Sequence, residues 1–171
     1  AGSAIVIVAA GANQEPGQSR LDLAATNVAV AQQLTPQLLE HSPDAVIIFV
    51  TNPVDVVTLA AARSVDVAPG RIFGSGTVLD SSRFRYLIAK RAGVDVGNVH
   101  GFIVGEHGDS EIPLWSSVSI GGVPAMEWRA GGVQVFDEQT RADIGKGVVN
   151  AAYEIIEGKG ATNLAIGLSS A

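Results

Sequence analysis

An α/β fold is predicted, with a parallel sheet in the first part of the chain and a smaller α+β arrangement in the second. Three observations predict it. Short apolar runs rich in β-branched residues at residues 4–9 and 45–50 show the pattern of strands buried on both faces, and residues 71–74 give a third, short strand. Helical patterns separate these runs, which implies parallel strands joined by right-handed crossovers. After Gly74-Ser75-Gly76 the alternation stops. A helix, short strands with glycine turns and a second long helix follow. A boundary is therefore expected near Ser75.

Composition narrows the function classes. Of the 171 residues 47% are hydrophobic and only 16% charged, so the chain forms a core and is not disordered. A net charge of −6 without a basic run argues against nucleic acid as a partner. There is no cysteine, which rules out a disulfide scaffold and fits a reducing compartment. Residues 1–12 lack the basic start of a signal peptide, and no apolar stretch reaches membrane-spanning length. A soluble cytoplasmic protein is expected, with no membrane partner. The chain opens directly in an apolar strand and ends at Ser169-Ser170-Ala171 without a helix stop, so a fragment of a longer protein is expected.

Residues 4–9 (Ala-Ile-Val-Ile-Val-Ala) read as the first strand and residues 11–18 as a loop. Ser19 opens a helix, with Asp22 in a capping-box-like place. Leu21, Ala24, Ala25, Val28, Ala31 and Leu38 follow helical spacing, with a break expected near Pro36. Residues 45–50 form the second strand, stopped by Thr51-Asn52-Pro53 because proline removes a ladder donor. A helix over residues 55–64 and a short strand over 71–74 complete the first part. In the second part a helix covers residues 79–91. Strands at 99–104 and 114–120 flank a glycine-rich loop, Gly121-Gly122 turns the chain, and a long helix spans 137–159. Gly145 and Gly147 weaken that helix by about 1 kcal/mol each.

The loop Val104-Gly105-Glu106-His107-Gly108-Asp109-Ser110-Glu111 carries the main candidate. Neighbouring acids favour a charged imidazole, which suits a group that gives and takes a proton. The plain alternative is a solvated loop histidine. On the 79–91 helix, Asp80, Arg83, Phe84, Leu87 and Ile88 share one face. Asp80 and Arg83 therefore head a buried stripe, where an unpaired charge is costly. Either they pair with each other, or Asp80 orients His107 while Arg83 forks onto a carboxylate. Arg20 follows a loop that could fold over a site, or is simply an exposed arginine. Asn52 is a strand-end turn residue or an amide donor aimed at a carbonyl. Thr162 is a helix-exit residue by default. No metal is expected, because His100 and His107 lack a third ligand at a known spacing. A Gly-x-Ser-x-Gly elbow, a thiol nucleophile and the phosphate-binding Gly-x-Gly-x-x-Gly are all absent.

Four stretches, taken in order, resemble the L-lactate/malate dehydrogenase family and above all its bacterial L-lactate members. They are Ala10-Gly11-Ala12-Asn13-Gln14 with Pro16-Gly17 and Ser19-Arg20-Leu21-Asp22-Leu23, then Thr51-Asn52-Pro53-Val54-Asp55, then residues 74–85, then Gly105-Glu106-His107-Gly108-Asp109-Ser110. Any one alone would be unspecific. The resemblance implies the second half of a Rossmann-type sheet over residues 1–75, the C-terminal half of a dinucleotide-binding domain. Residues 76–171 would then be part of a substrate domain.

The activity implied is hydride transfer between NAD and pyruvate or L-lactate, with His107 as acid/base, Asp80 stabilising its imidazolium and Arg20 polarising the carbonyl. Arg83 would hold the substrate carboxylate, and Asn52 and Thr162 would line the pocket. Gly11, Ala12, Val50, Thr51, Asn52 and Ser75 match cofactor-contacting positions. Gln14 occupies the place where arginine marks malate enzymes. A neutral amide leaves a second carboxylate unpaired, so pyruvate is expected over oxaloacetate. Malate dehydrogenase is the alternative, and a non-catalytic piece that keeps the fold is another. Arg85 and His100 match the fructose 1,6-bisphosphate site of allosteric members, and a homotetramer is implied. The family's first βαβ unit, with its glycine-rich loop and ribose-binding acid, has no counterpart here. NAD over NADP is thus inherited from the resemblance alone. The isolated 171 residues are expected to aggregate through the apolar edge of the first strand and to turn over poorly.

Overall fold

The computed structural model describes residues 1–12, 20–160 and 162–171, with the backbone alone for residues 20–22 and 159. It forms two units, residues 1–76 with 170–171, and residues 77–169. Among the described residues no helix is long and apolar enough to cross a membrane.

In the first unit β1 (Ile5–Val8), α1 (Arg20–His41), β2 (Val46–Phe49), α2 (Val54–Arg63) and β3 (Ile72–Gly74) alternate. The strands form a parallel sheet in the order β1-β2-β3. Val8, Ile47 and Phe49 pack against Ala31 of α1 and Val54, Val57 and Ala61 of α2. Two expectations are corrected here. β1 is not buried on both faces, since Ile5 is 61% and Ile7 47% exposed. Strands laid down in sequential order with right-handed crossovers receive both helices on one face. The side chains that alternate away from them, Ile5, Ile7 and Phe73, meet no covering layer among the described residues. Nor does α1 break at Pro36. Pro36 and Gln32 are on the exposed side, so the carbonyl left without an N–H partner can turn to water. On the buried side the Thr35 hydroxyl donates to the Ala31 carbonyl at 2.7 Å, which satisfies the hydroxyl inside the packed face.

The second unit is built on α3 (Val78–Ala92) and α4 (Glu138–Lys159), with α5 (Leu164–Ser170) at its end. Between the helices run the short strands β4 (Val99–His100), β5 (Ile103–Val104), β6 (Ile112–Pro113), β7 (Ser119–Ile120), β8 (Val123–Pro124), β9 (Arg129–Ala130) and β10 (Val133–Gln134). The expected strands at 99–104 and 114–120 are thus divided. β4 pairs with β7 and β5 with β6, and residues 115–117 form a 3-10 turn. Packing decides this: the Trp115 ring sits edge-on to Phe84 at 5.0 Å and tilted on Phe136 at 5.7 Å, which a continuous strand would forbid. Phe84, Ile88, Ile103, Ile120, Phe136 and Val148 form the core. Gly147 has a packing use beyond its helix cost. A Cβ there would stand 3.1 Å from Leu87 Cδ1, so the glycine lets α4 close on α3. Asp137 caps α4 by accepting from the Thr140 N–H at 2.8 Å, as its residue type favours.

Candidate active site

The site grows from the first turn of α3. Asp80 is 2% exposed, on the same face as Phe84 and Ile88, so the packing that buries those two also buries the carboxylate. Its two oxygens take different partners. Oδ2 lies 2.5 Å from His107 Nδ1, and Oδ1 accepts from Arg83 Nη1 at 3.1 Å. Asp80 therefore pairs with Arg83 and contacts His107 at the same time. The bond uses one of the five N–H donors of the guanidinium.

α3 also places the histidine loop. Thr77 Oγ1 donates to the Ile103 carbonyl at 2.7 Å, and Ser81 Oγ accepts from the Ile103 N–H at 2.9 Å. These bonds pin β5 to the helix just ahead of His107. Gly105 and Gly108 then take positive φ of 91° and 139°, which a side chain would resist. Two of the loop's own acids are engaged elsewhere. Glu106 accepts from Ser110 and Asp109 from the Tyr153 hydroxyl of α4, each at 3.0 Å. The acid on the imidazole is thus Asp80, 27 positions away in sequence, and not one of the two flanking residues.

Glu111 is the residue that sequence reasoning missed. The turn closed by its N–H on the Gly108 carbonyl at 3.2 Å carries its side chain back toward the pair. Asp80, His107 and Glu111 each offer an atom within 4.8 Å of the others. Burial first, then the Asp80 charge, pushes the Glu111 carboxyl up to about 7, against the opposing pull of His107 and Arg83. The three are the residues that could hold a cation among those described. The short His107–Asp80 contact favours a proton there instead, since ligand atoms around zinc stand roughly 3.3 Å apart at 2.0–2.1 Å bond lengths.

Arg83 also faces a cavity of about 340 Å³ within the second unit, lined by Leu79, Ile155, Thr162, Asn163 and Ile166 among others. Thr162 and Arg83 are therefore brought to one cavity, and among the described residues Arg83 is the one charged residue lining it. His107 is 27% exposed at the side chain and does not line that cavity.

In the first unit, the residues predicted for a cofactor gather at the carboxyl ends of β1 and β2. Asn27, also missed, holds them together. Its Oδ1 accepts from the Ala12 N–H at 2.7 Å, and its Nδ2 donates to the Asn52 carbonyl at 2.7 Å. Thr51 Oγ1 donates to the Ala10 carbonyl at 2.7 Å, and Ser75 N–H to the Phe49 carbonyl at 2.8 Å. Gly11 is required for this closeness, because a Cβ would fall 2.4 Å from Thr51 Cγ2. The signal for Asn27 was an amide on the apolar stripe of α1 between Ala24 and Ala31. Val50 follows β2 with its N–H on the Val8 carbonyl at 3.0 Å. Gln14 lies outside the described residues, as does the side chain of Arg20. Arg85 donates to Ser82 Oγ at 3.1 Å, and His100 is exposed on β4.

Two family models match the chain. A lactate/malate dehydrogenase NAD binding domain covers residues 1–74, and a lactate/malate dehydrogenase alpha/beta C-terminal domain covers residues 77–171. The chain belongs to the lactate/malate dehydrogenase family. Within that family it is 51% identical over 166 residues to an L-lactate dehydrogenase of Bifidobacterium animalis subsp. lactis, covering 96% of this chain and 52% of the relative. An L-lactate dehydrogenase of a Synechococcus species is 50% identical over 175 residues, covering 100% of this chain and 55% of the relative. Among solved structures, a minor L-lactate dehydrogenase from Enterococcus mundtii in a ligand-bound form superposes with a TM-score of 0.91 at 41% identity, over 98% of this chain and 53% of that one. The chain spans about half the length of the curated relatives it matches. Its parallel sheet and mixed second unit are those of this family.

Proposed function

We propose that the chain supplies the acid/base and substrate-holding residues of an NAD-dependent L-lactate dehydrogenase, interconverting pyruvate and L-lactate. The observation that carries this reading is the His107 Nδ1–Asp80 Oδ2 contact at 2.5 Å. A carboxylate accepting the Nδ1 proton leaves Nε2 as the nitrogen that exchanges the other proton. In reduction, the imidazolium gives that proton to the ketone oxygen; in oxidation, the neutral ring takes it from the hydroxyl. Asp80 favours the charged ring and holds its orientation. Arg83 binds the substrate carboxylate, with Thr162 on the same cavity wall. Asn52, Gln14 and Arg20 keep the substrate roles that the family resemblance gives them.

Residues 1–75 are read as the C-terminal half of the dinucleotide-binding domain and 76–171 as part of the substrate domain. The fit to NAD rests on the backbone at the carboxyl edge of the sheet, where α/β folds bind such groups. Gly11, Ala12, Val50, Thr51, Asn52 and Ser75 would hold the nicotinamide side. When bound, the nicotinamide supplies the hydride. Arg85 and His100 are proposed as phosphate contacts for fructose 1,6-bisphosphate in a cytoplasmic homotetramer, on resemblance and on the N–H donors that an arginine and a histidine offer a phosphate.

The test is NADH oxidation by a protein of the relatives' length that contains these 171 residues. Pyruvate is expected to outperform oxaloacetate, fructose 1,6-bisphosphate to lower the KM for pyruvate, and His107→Asn to cost about 10²–10⁴ in kcat/KM. Better use of oxaloacetate would favour malate dehydrogenase. Indifference to His107→Asn would refute the acid/base role.

A further inference from the structure

Glu111 stands beside the His107–Asp80 pair, where a backbone hydrogen bond at Gly108 is outweighed by burial and by the Asp80 charge. Its Oε1 is buried and has no hydrogen-bond partner. Asp80 has its two oxygens on His107 and on Arg83, and the Glu111 carboxylate lies within 4.8 Å of the same pair, so one imidazole and one guanidinium stand between two carboxylates. Two carboxylates this close, one of them shielded from water, resist ionising together.

We propose that Glu111 is a positioning residue that shares a proton with the His107–Asp80 pair, so that the charge on the imidazole is set by two protonatable groups and not one. The functional consequence rests on the acid/base reading of His107. The charged groups acting on Glu111 are Asp80 and Arg83 from α3 and His107 from its own loop. A charged imidazole favours ionised Glu111, and a neutral one favours the carboxylic acid. When His107 yields its proton to a ketone, Glu111 takes one from solvent, forming a single O–H bond, and the net charge of the trio is restored. The side chain thereby holds the charge of the site constant through the proton transfer.

The decisive experiment is an NMR titration of a protein of the relatives' length that contains these 171 residues, following the Glu111 side-chain carbon and the His107 ring, with Glu111→Gln and Glu111→Asp alongside. The Glu111 carbon, assigned by through-bond correlation, is expected to titrate near pH 7. The His107 midpoint is expected to fall by about half a unit or more in Glu111→Gln and to be largely restored in Glu111→Asp. A Glu111 midpoint in the ordinary carboxylate range would overturn the proposal even if no variant folds. So would an unchanged His107 curve in a folded Glu111→Gln chain. The readout needs no turnover. Failure to reduce pyruvate would therefore sink the dehydrogenase reading and leave this result standing.

Discussion

Asp80 concentrates the chemistry because its two oxygens face different ways. One holds the imidazole and the other holds Arg83, so a single buried carboxylate links the His107 ring to the guanidinium on the cavity wall. Much of this was legible. The i,i+3 spacing of Asp80 and Arg83 at the head of an apolar stripe marks them without any structure, and the glycines around His107 mark a turn. The partnership of Asp80 with His107 was legible as one of two alternatives and was favoured by the family resemblance, because tertiary packing of β5 on α3 creates it. Glu111 was not legible. In sequence it is one acid among several beside His107, and only the turn at Gly108 tells it apart from Glu106 and Asp109, whose oxygens accept from Ser110 and Tyr153.

At the scale of elements, buried polar side chains set where the strand-end loops stand. Asn27 is 1% exposed and joins two loops from inside α1. Asn27→Ala is expected to strand the Ala12 N–H and to cost about 1–3 kcal/mol, read as a lower midpoint in urea unfolding. An unchanged midpoint would show that the loops hold themselves. The parallel β-α-β order was readable from alternating patterns, because each strand there is a continuous apolar run. The division of the second unit into two-residue strands was not. Trp115 reads as one more apolar residue of a strand until its ring contacts with Phe84 and Phe136 are known. Pro36 misled for the opposite reason: a local rule for helix breaking lost to a long helix whose exposed side tolerates one missing bond.

For the whole molecule, the perturbed acids give stability a pH dependence. Glu111 has a folded pKa of about 7 against an ordinary 4.5. Its contribution is fully present below pH 4.5 and is withdrawn as pH rises through 7, since the fold resists ionising it. Asp137 runs the other way. Its bonds to Thr140 hold the carboxyl below the ordinary 3.8, so that contribution is present above 3.8 and lost on acidification. The wild-type Tm is therefore expected to fall between pH 5 and pH 8 by more than that of Glu111→Gln, by thermal unfolding at both pH values. Equal changes would remove Glu111 from the account. The central claim, that Asp80 holds and charges the His107 imidazole, is tested most directly by a ¹⁵N NMR titration of His107 in a protein of the relatives' length that contains these 171 residues, and in its Asp80→Asn variant. The account predicts a neutral ring protonated at Nδ1, and a midpoint about one unit or more lower in the variant. A neutral ring protonated at Nε2, or the same midpoint in both proteins, would contradict it.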